Sequence, residues 1–130
     1  MNGSGIDAGN APKAVGSYPH ARRVGNLLFL SGIGPRTPGT DAIPAGIEAQ
    51  SRAVLANVRT VLEASGARWD DLVDVTVFLT DMARDFRAYN ATWAEHFPDP
   101  ARAPCRTTVG ITALPTPISI ELKCIAALKD

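Results

Sequence analysis

Val73-Asp74-Val75-Thr76-Val77-Phe78-Leu79-Thr80, followed at once by Asp81, decides how this chain folds. Val73, Val75, Val77 and Leu79 alternate with Asp74, Thr76, Phe78 and Thr80, the period of a strand with one face in a core. Asp81 is placed to cap a helix in which Phe86, Tyr89, Trp93 and Phe97 recur at spacings of three and four, closed by Pro98. That aromatic stripe reads as core, Phe86 and Phe97 above all. Upstream, Ile47, Val54, Leu55, Val58, Val61 and Leu62 mark a second amphipathic helix over 47–65, with Gly66 where a glycine would stop it. Still further out, 21–24 and 27–30 are strand-like runs around the hairpin signal Gly25-Asn26. Cys105 to Ile111 and Ile118 to Ala127 supply two more extended runs. The order β-β-α-β-α-β-β predicts an α+β fold, a mixed sheet with two helices packed on one face. Residues 1–10 are expected to be a flexible leader and 11–130 a single domain.

Composition narrows the function. The chain has 130 residues, 45% hydrophobic and 20% charged, and thirteen basic residues balance thirteen acidic ones. A net charge of zero gives no long-range field for polyanions, which weighs against nucleic-acid and anionic-membrane partners. No apolar run approaches the ~20 residues that span a bilayer. The polar, glycine-rich start lacks a signal-peptide pattern, so a cytoplasmic location is expected. Cys105 and Cys124 form no CxxC pair, and His20 and His96 lie in no ligand cluster. Reduced thiols and no metal are expected. Gly32-Ile33-Gly34-Pro35-Arg36-Thr37 does not complete a phosphate-binding GxGxxG and reads as a loop.

Leu27 and Phe29 point opposite to Leu28 and Leu30, so this strand is apolar on both faces. Two helices cover one face of a sheet. The other is expected to meet a second copy of the chain. Arg106, set between Cys105 and Thr107-Thr108, and Glu121, alternating with Ile120, Leu122 and Cys124, are expected together on that uncovered face. Taken singly, each also reads as a solvated strand residue.

Several stretches resemble one family. They are Gly16-Ser17-Tyr18-Pro19-His20-Ala21, Gly25-Asn26-Leu27-Leu28-Phe29-Leu30-Ser31-Gly32, Asp74 to Met82, Tyr89-Asn90-Ala91-Thr92-Trp93, Pro104-Cys105-Arg106-Thr107-Thr108-Val109 and Ile120 to Ala126. Together they resemble the RidA/YjgF reactive-intermediate deaminases over about residues 11 to 128. The resemblance implies a chorismate-mutase-like α+β fold, a homotrimer with clefts between subunits, and hydrolysis of enamine-derived imines without a cofactor. It assigns catalytic roles to Arg106, which grips the substrate carboxylate, to Glu121, which positions the attacking water, and to Tyr18. Ser31 and Asn90 then lie in or near the cleft, with Thr107 and Cys105 as further substrate contacts beside Arg106. Cys105 is not expected to be a nucleophile, because imine hydrolysis needs none.

Tyr18-Pro19-His20-Ala21-Arg22-Arg23 and Leu114 to Cys124 are more similar to the 2-aminomuconate deaminase branch. That branch implies conversion of 2-aminomuconate to 2-oxohex-3-enedioate and ammonia, as in aromatic-ring degradation. Its usual loop insertion is absent, since Pro35 to Gly46 is short. A dicarboxylate would need a second cation, for which His20, Arg22, Arg23 and Arg36 are candidates. The alternatives are a general 2-imino acid deaminase that clears reactive intermediates, and an RNA- or protein-binding module of the same fold.

Overall fold

The sheet begins with a hairpin. Gly25 takes a φ of 61°, open to glycine at little cost, and turns β1 (Ala21–Val24) back onto β2 (Leu27–Leu30). In this computed structural model, which describes residues 3–129, the remaining strands are β3 (Leu72–Leu79), β4 (Cys105–Gly110) and β5 (Ile120–Ala127). The sheet order is β1-β2-β5-β3-β4. β3 and β4 run parallel and the other pairings are antiparallel. Parallel neighbours need a crossover, and α2 (Met82–His96) supplies it.

The helix signals are realised closely. α1 spans Ile47–Ala64 and buries Val54, Leu55, Val58, Val61 and Leu62. Gly66, at φ 80°, ends it: its N–H donates to the Glu63 carbonyl at 3.1 Å and the Ala67 N–H to Leu62 at 2.8 Å. Asp81 caps α2 by accepting the Arg84 N–H at 3.1 Å. Both helices cover the sheet face that carries Leu28, Leu30, Val75, Val77, Leu79, Ile120, Leu122 and Cys124, each buried. Burying a side chain of this size contributes roughly 1.5–3 kcal/mol, so this layer holds the site's framework rigid.

Three expectations are corrected. Val73 is exposed, because the β3–β5 register slips between Leu72 and Asp74 and Val73 is the extra residue of a bulge. Phe86 is 36% exposed at the rim of α2, meeting Tyr89 edge-on, and is not core. Phe97 does pack on the core, stacked against Trp69 at 4.9 Å. The leader is also anchored from Ile6 onward: Ile6 bridges Ala21, and Ala8 and Ala11 are buried. Met1 and Asn2 lie outside the described residues.

The sheet face without helices carries Leu27, Phe29, Phe78, Val109 and Ile125, so β2 is apolar on both sides as its sequence predicts. Among the described residues, no helix is long and apolar enough to cross a membrane.

Candidate active site

Strand register divides the predicted residues between two faces. Arg106 lies opposite Val75, which is buried beneath the helices, whereas Glu121 lies opposite Phe78 on the open face. Side chains of directly paired residues project to the same side and alternate along each strand. Arg106 and Glu121 therefore project from opposite sides of the sheet. The expectation that they share the open face is corrected, and a single chain does not bring them together.

Arg106 sits on edge strand β4 with α2 beside it. Its Nη1 donates to Asn90 Oδ1 at 2.9 Å. The guanidinium lies 5.0 Å from the Trp93 ring centre and 5.4 Å from that of Tyr89, within cation–π range. Two rings of the aromatic stripe thus hold a cation as well as fill the core. Burial raises the Tyr89 phenol above its ordinary value, so it stays neutral next to the arginine. Besides Asn90, the guanidinium has the Tyr89 hydroxyl as a side-chain neighbour. A guanidinium has five donors in a planar fork, and most of this fork is left for a ligand.

Glu121 belongs to a second group, created by a break in the ladder. β2 pairs with β5 as far as Phe29–Ile125, and pairing resumes at Ile33–Leu122. Four steps on one strand match three on the other, so one extra residue breaks the ladder between Phe29 and Ile33. The Lys123 ammonium donates to the Leu30 carbonyl at this break. Glu121 leans over Gly32: a Cβ placed there would lie 2.9 Å from the Glu121 carboxyl. Burial pushes that carboxyl above the usual carboxylate range. Ser31 Oγ donates to the Pro19 carbonyl at 2.6 Å, and Tyr18 OH accepts the Val15 N–H at 3.2 Å. Tyr18, Ser31 and Gly32 line one cleft with Lys13 and Arg36. The tyrosine keeps its own proton to donate there.

The remaining predicted residues fall elsewhere. His20 is buried and both ring nitrogens are taken, Nδ1 accepting the Ala8 N–H at 3.0 Å and Nε2 donating to the Pro12 carbonyl at 2.7 Å. It clamps the N-terminal segment and has no nitrogen left for a second carboxylate. Arg23 Nε donates to Gly25 O in the hairpin turn, and Arg22 lies on the open face opposite Phe29. Cys105 and Thr107 are exposed on that open face too, on the other side of β4 from Arg106. Burial pushes the Cys124 thiol up to about 12, which leaves it inert. Sequence reasoning missed Gly32 as the seat of Glu121 and Lys13 as part of the cleft. A glycine two residues past an apolar strand was the available signal for the first. Among the described residues no group of three His, Cys, Asp or Glu could hold a metal.

Two helices on one face of a five-stranded mixed sheet, with an arginine fork at one edge and a half-buried carboxyl at a break in the ladder, define a small α+β protein with two separate polar groups. Comparison with known proteins places it. The Endoribonuclease L-PSP family matches residues 8–128. The Escherichia coli K12 2-iminobutanoate/2-iminopropanoate deaminase is 39% identical over 118 residues, 90% of this chain and 91% of that protein. The chloroplastic Reactive Intermediate Deaminase A of Arabidopsis thaliana is 39% identical over 124 residues, 95% of this chain and 65% of that one. The crystal structure of E. coli TdcF with bound serine superposes with a TM-score of 0.89 at 32% identity, covering 98% of this chain and all of that one. This chain belongs to the Endoribonuclease L-PSP family, which is the RidA/YjgF family.

Proposed function

We propose that the protein hydrolyses short 2-imino acids to 2-oxo acids and ammonia, at a site completed by two copies of the chain. The names of its relatives make it a hydrolase of the deaminase class; the substrate and the shared site are the proposal. One observation carries it: Arg106 presents an open guanidinium fork at a sheet edge, while Tyr18 lines a separate cleft with Gly32, against which Glu121 leans. A neighbouring copy laid on the open apolar face would set one half-site against the other. The homotrimer implied by the resemblance is one such closed arrangement.

The chemistry needs little beyond placement. A 2-imino acid presents a carboxylate, which a planar guanidinium holds bidentately. Its C2 is already electrophilic, so water adds once it is oriented and a base accepts its proton. Glu121, whose carboxyl burial raises, is matched to take that proton and return it to the nitrogen. The C2 hydroxyl then passes its proton through the same carboxylate to the nitrogen, the C–N bond breaks, and ammonia leaves with the ketone formed. In this reading Tyr18, which lines the cleft, donates a hydrogen bond to the reacting centre. Serine bound by TdcF has the same carboxylate and C2 nitrogen, which supports an amino-acid-like ligand here.

The general deaminase reading is favoured over 2-aminomuconate, because the relative of nearly equal length carries the 2-iminobutanoate/2-iminopropanoate name. Of the four cations that could meet a second carboxylate, His20 is excluded, because both of its ring nitrogens are taken. A nucleic-acid role is disfavoured by the zero net charge. Steady-state kinetics on 2-iminobutanoate generated in situ test the proposal. Arg106→Ala is expected to lose about thirty- to a thousand-fold in kcat/KM, from roughly 2–4 kcal/mol of charge-assisted binding. Near-normal turnover by that variant defeats the assignment.

A further inference from the structure

Lys13 and Arg36 line the Tyr18–Ser31–Gly32 cleft, and imine hydrolysis at C2 uses neither. Both also line an adjoining cavity of about 250 Å³ with Gly39, Thr40 and Asp41. Arg36 is held in place from two directions. Its own carbonyl and that of Gly34 each accept from Nδ2 of the buried Asn57 at 2.9 Å, and its Nη2 donates to the Lys13 carbonyl. The Arg36 side chain is 15% exposed, yet its acidic partner, Asp41, is fully exposed and 3.6 Å away, beyond hydrogen-bond length. A mostly buried cation whose counter-ion is a distant, solvated carboxylate is poorly compensated. It is poised for a better anion.

We propose that this end of the cleft is a subsite for a second carboxylate, held by Arg36 with Lys13, so that the preferred substrates are 2-imino acids with a distal carboxylate. The inference rests on the imine-hydrolysis reading and names its substrate class. With Arg106 on the first carboxylate and Arg36 on the second, the diacid would bridge the two half-sites. Asp41 competes with the ligand for Arg36.

Two measurements on the full chain separate the subsite from the catalysis. The first compares kcat/KM on 2-iminoglutarate and on 2-iminobutanoate, both generated in situ. The second compares binding of glutarate and butyrate, neither of which can react, by calorimetry. The diacid is expected to be favoured by roughly ten- to a hundredfold in both. Arg36→Met should cut that ratio tenfold or more, Arg36→Lys should retain part of it, and Asp41→Asn should raise it. Lys13→Met, at an exposed position, should lower it as well and serves if Arg36→Met fails to fold. If neither imine turns over but glutarate keeps its advantage and loses it in the variants, the catalytic reading fails and the subsite stands. Equal binding of glutarate and butyrate by the unmodified protein overturns the subsite, whatever the turnover shows.

Discussion

Gly32→Ala removes no functional group, and it should nevertheless disable the enzyme. A methyl group at this position would lie 2.9 Å from the Glu121 carboxyl carbon and one of its oxygens, whereas ordinary contact begins at 3.4–4 Å. The carboxyl must therefore retreat by about 0.5–1 Å, and a shift of ~1 Å in a reacting group costs on the order of a hundredfold in rate. Gly32 has no positive φ, so the backbone accepts alanine without strain. The displaced atoms are the far end of a flexible side chain, so stability should change by less than ~1 kcal/mol. Urea denaturation and kcat/KM on 2-iminobutanoate, measured on the same preparation, separate the two effects. A hundredfold loss of activity with an unmoved denaturation midpoint is expected. Activity within threefold of the parent would refute the placement of Glu121 in the chemistry.

Two further substitutions probe opposite sides of the cleft. His20→Leu strands the Ala8 N–H and the Pro12 carbonyl, both of which the ring now satisfies. It should cost about 1–3 kcal/mol in urea denaturation and expose residues 5–12 to proteolysis; an unchanged midpoint would show that the clamp is idle. Glu121→Gln should abolish turnover while raising Tm at pH 7. Burial raises the folded carboxyl, so its contribution to stability is full below the unfolded value and lost as pH rises through the folded one. The gain in Tm should vanish in acid below the ordinary value of 4.5, and a lower Tm at pH 7 would contradict the burial.

What the sequence disclosed follows from which forces are local. Gly66 and Asp81 announced the helix ends because a cap depends on a few neighbouring residues. The alternation in β3 gave its buried face from Val75 onward, but the bulge at Val73 depends on how β5 pairs beside it, which no local pattern records. Phe86 fits the helical spacing of a core residue and is still exposed, with Tyr89 meeting only its edge. The resemblance supplies candidate residues but not their arrangement. Arg106, Glu121, Tyr18, Ser31 and Asn90 were all named, yet β4 pairs with β3 so that Arg106 faces the helices and Glu121 does not. His20 looked like a free ligand because its partners, Ala8 and Pro12, lie in a segment expected to be loose.

The central claim is that the arginine of one copy works with the glutamate of another, and mixing two dead chains tests it most directly. Arg106→Ala and Glu121→Gln chains, co-expressed with different tags and purified through both, should each be inactive alone. Purification through both tags leaves only mixed assemblies, so about one site in three of a cyclic trimer receives an intact Arg106 from one copy and an intact Glu121 from the next. The mixed protein should therefore recover roughly a third of the parental kcat per site on 2-iminobutanoate if the assembly is a trimer, and about half if it is a dimer. A mixed assembly as inactive as its two parents would place both residues in one chain's site and contradict the account.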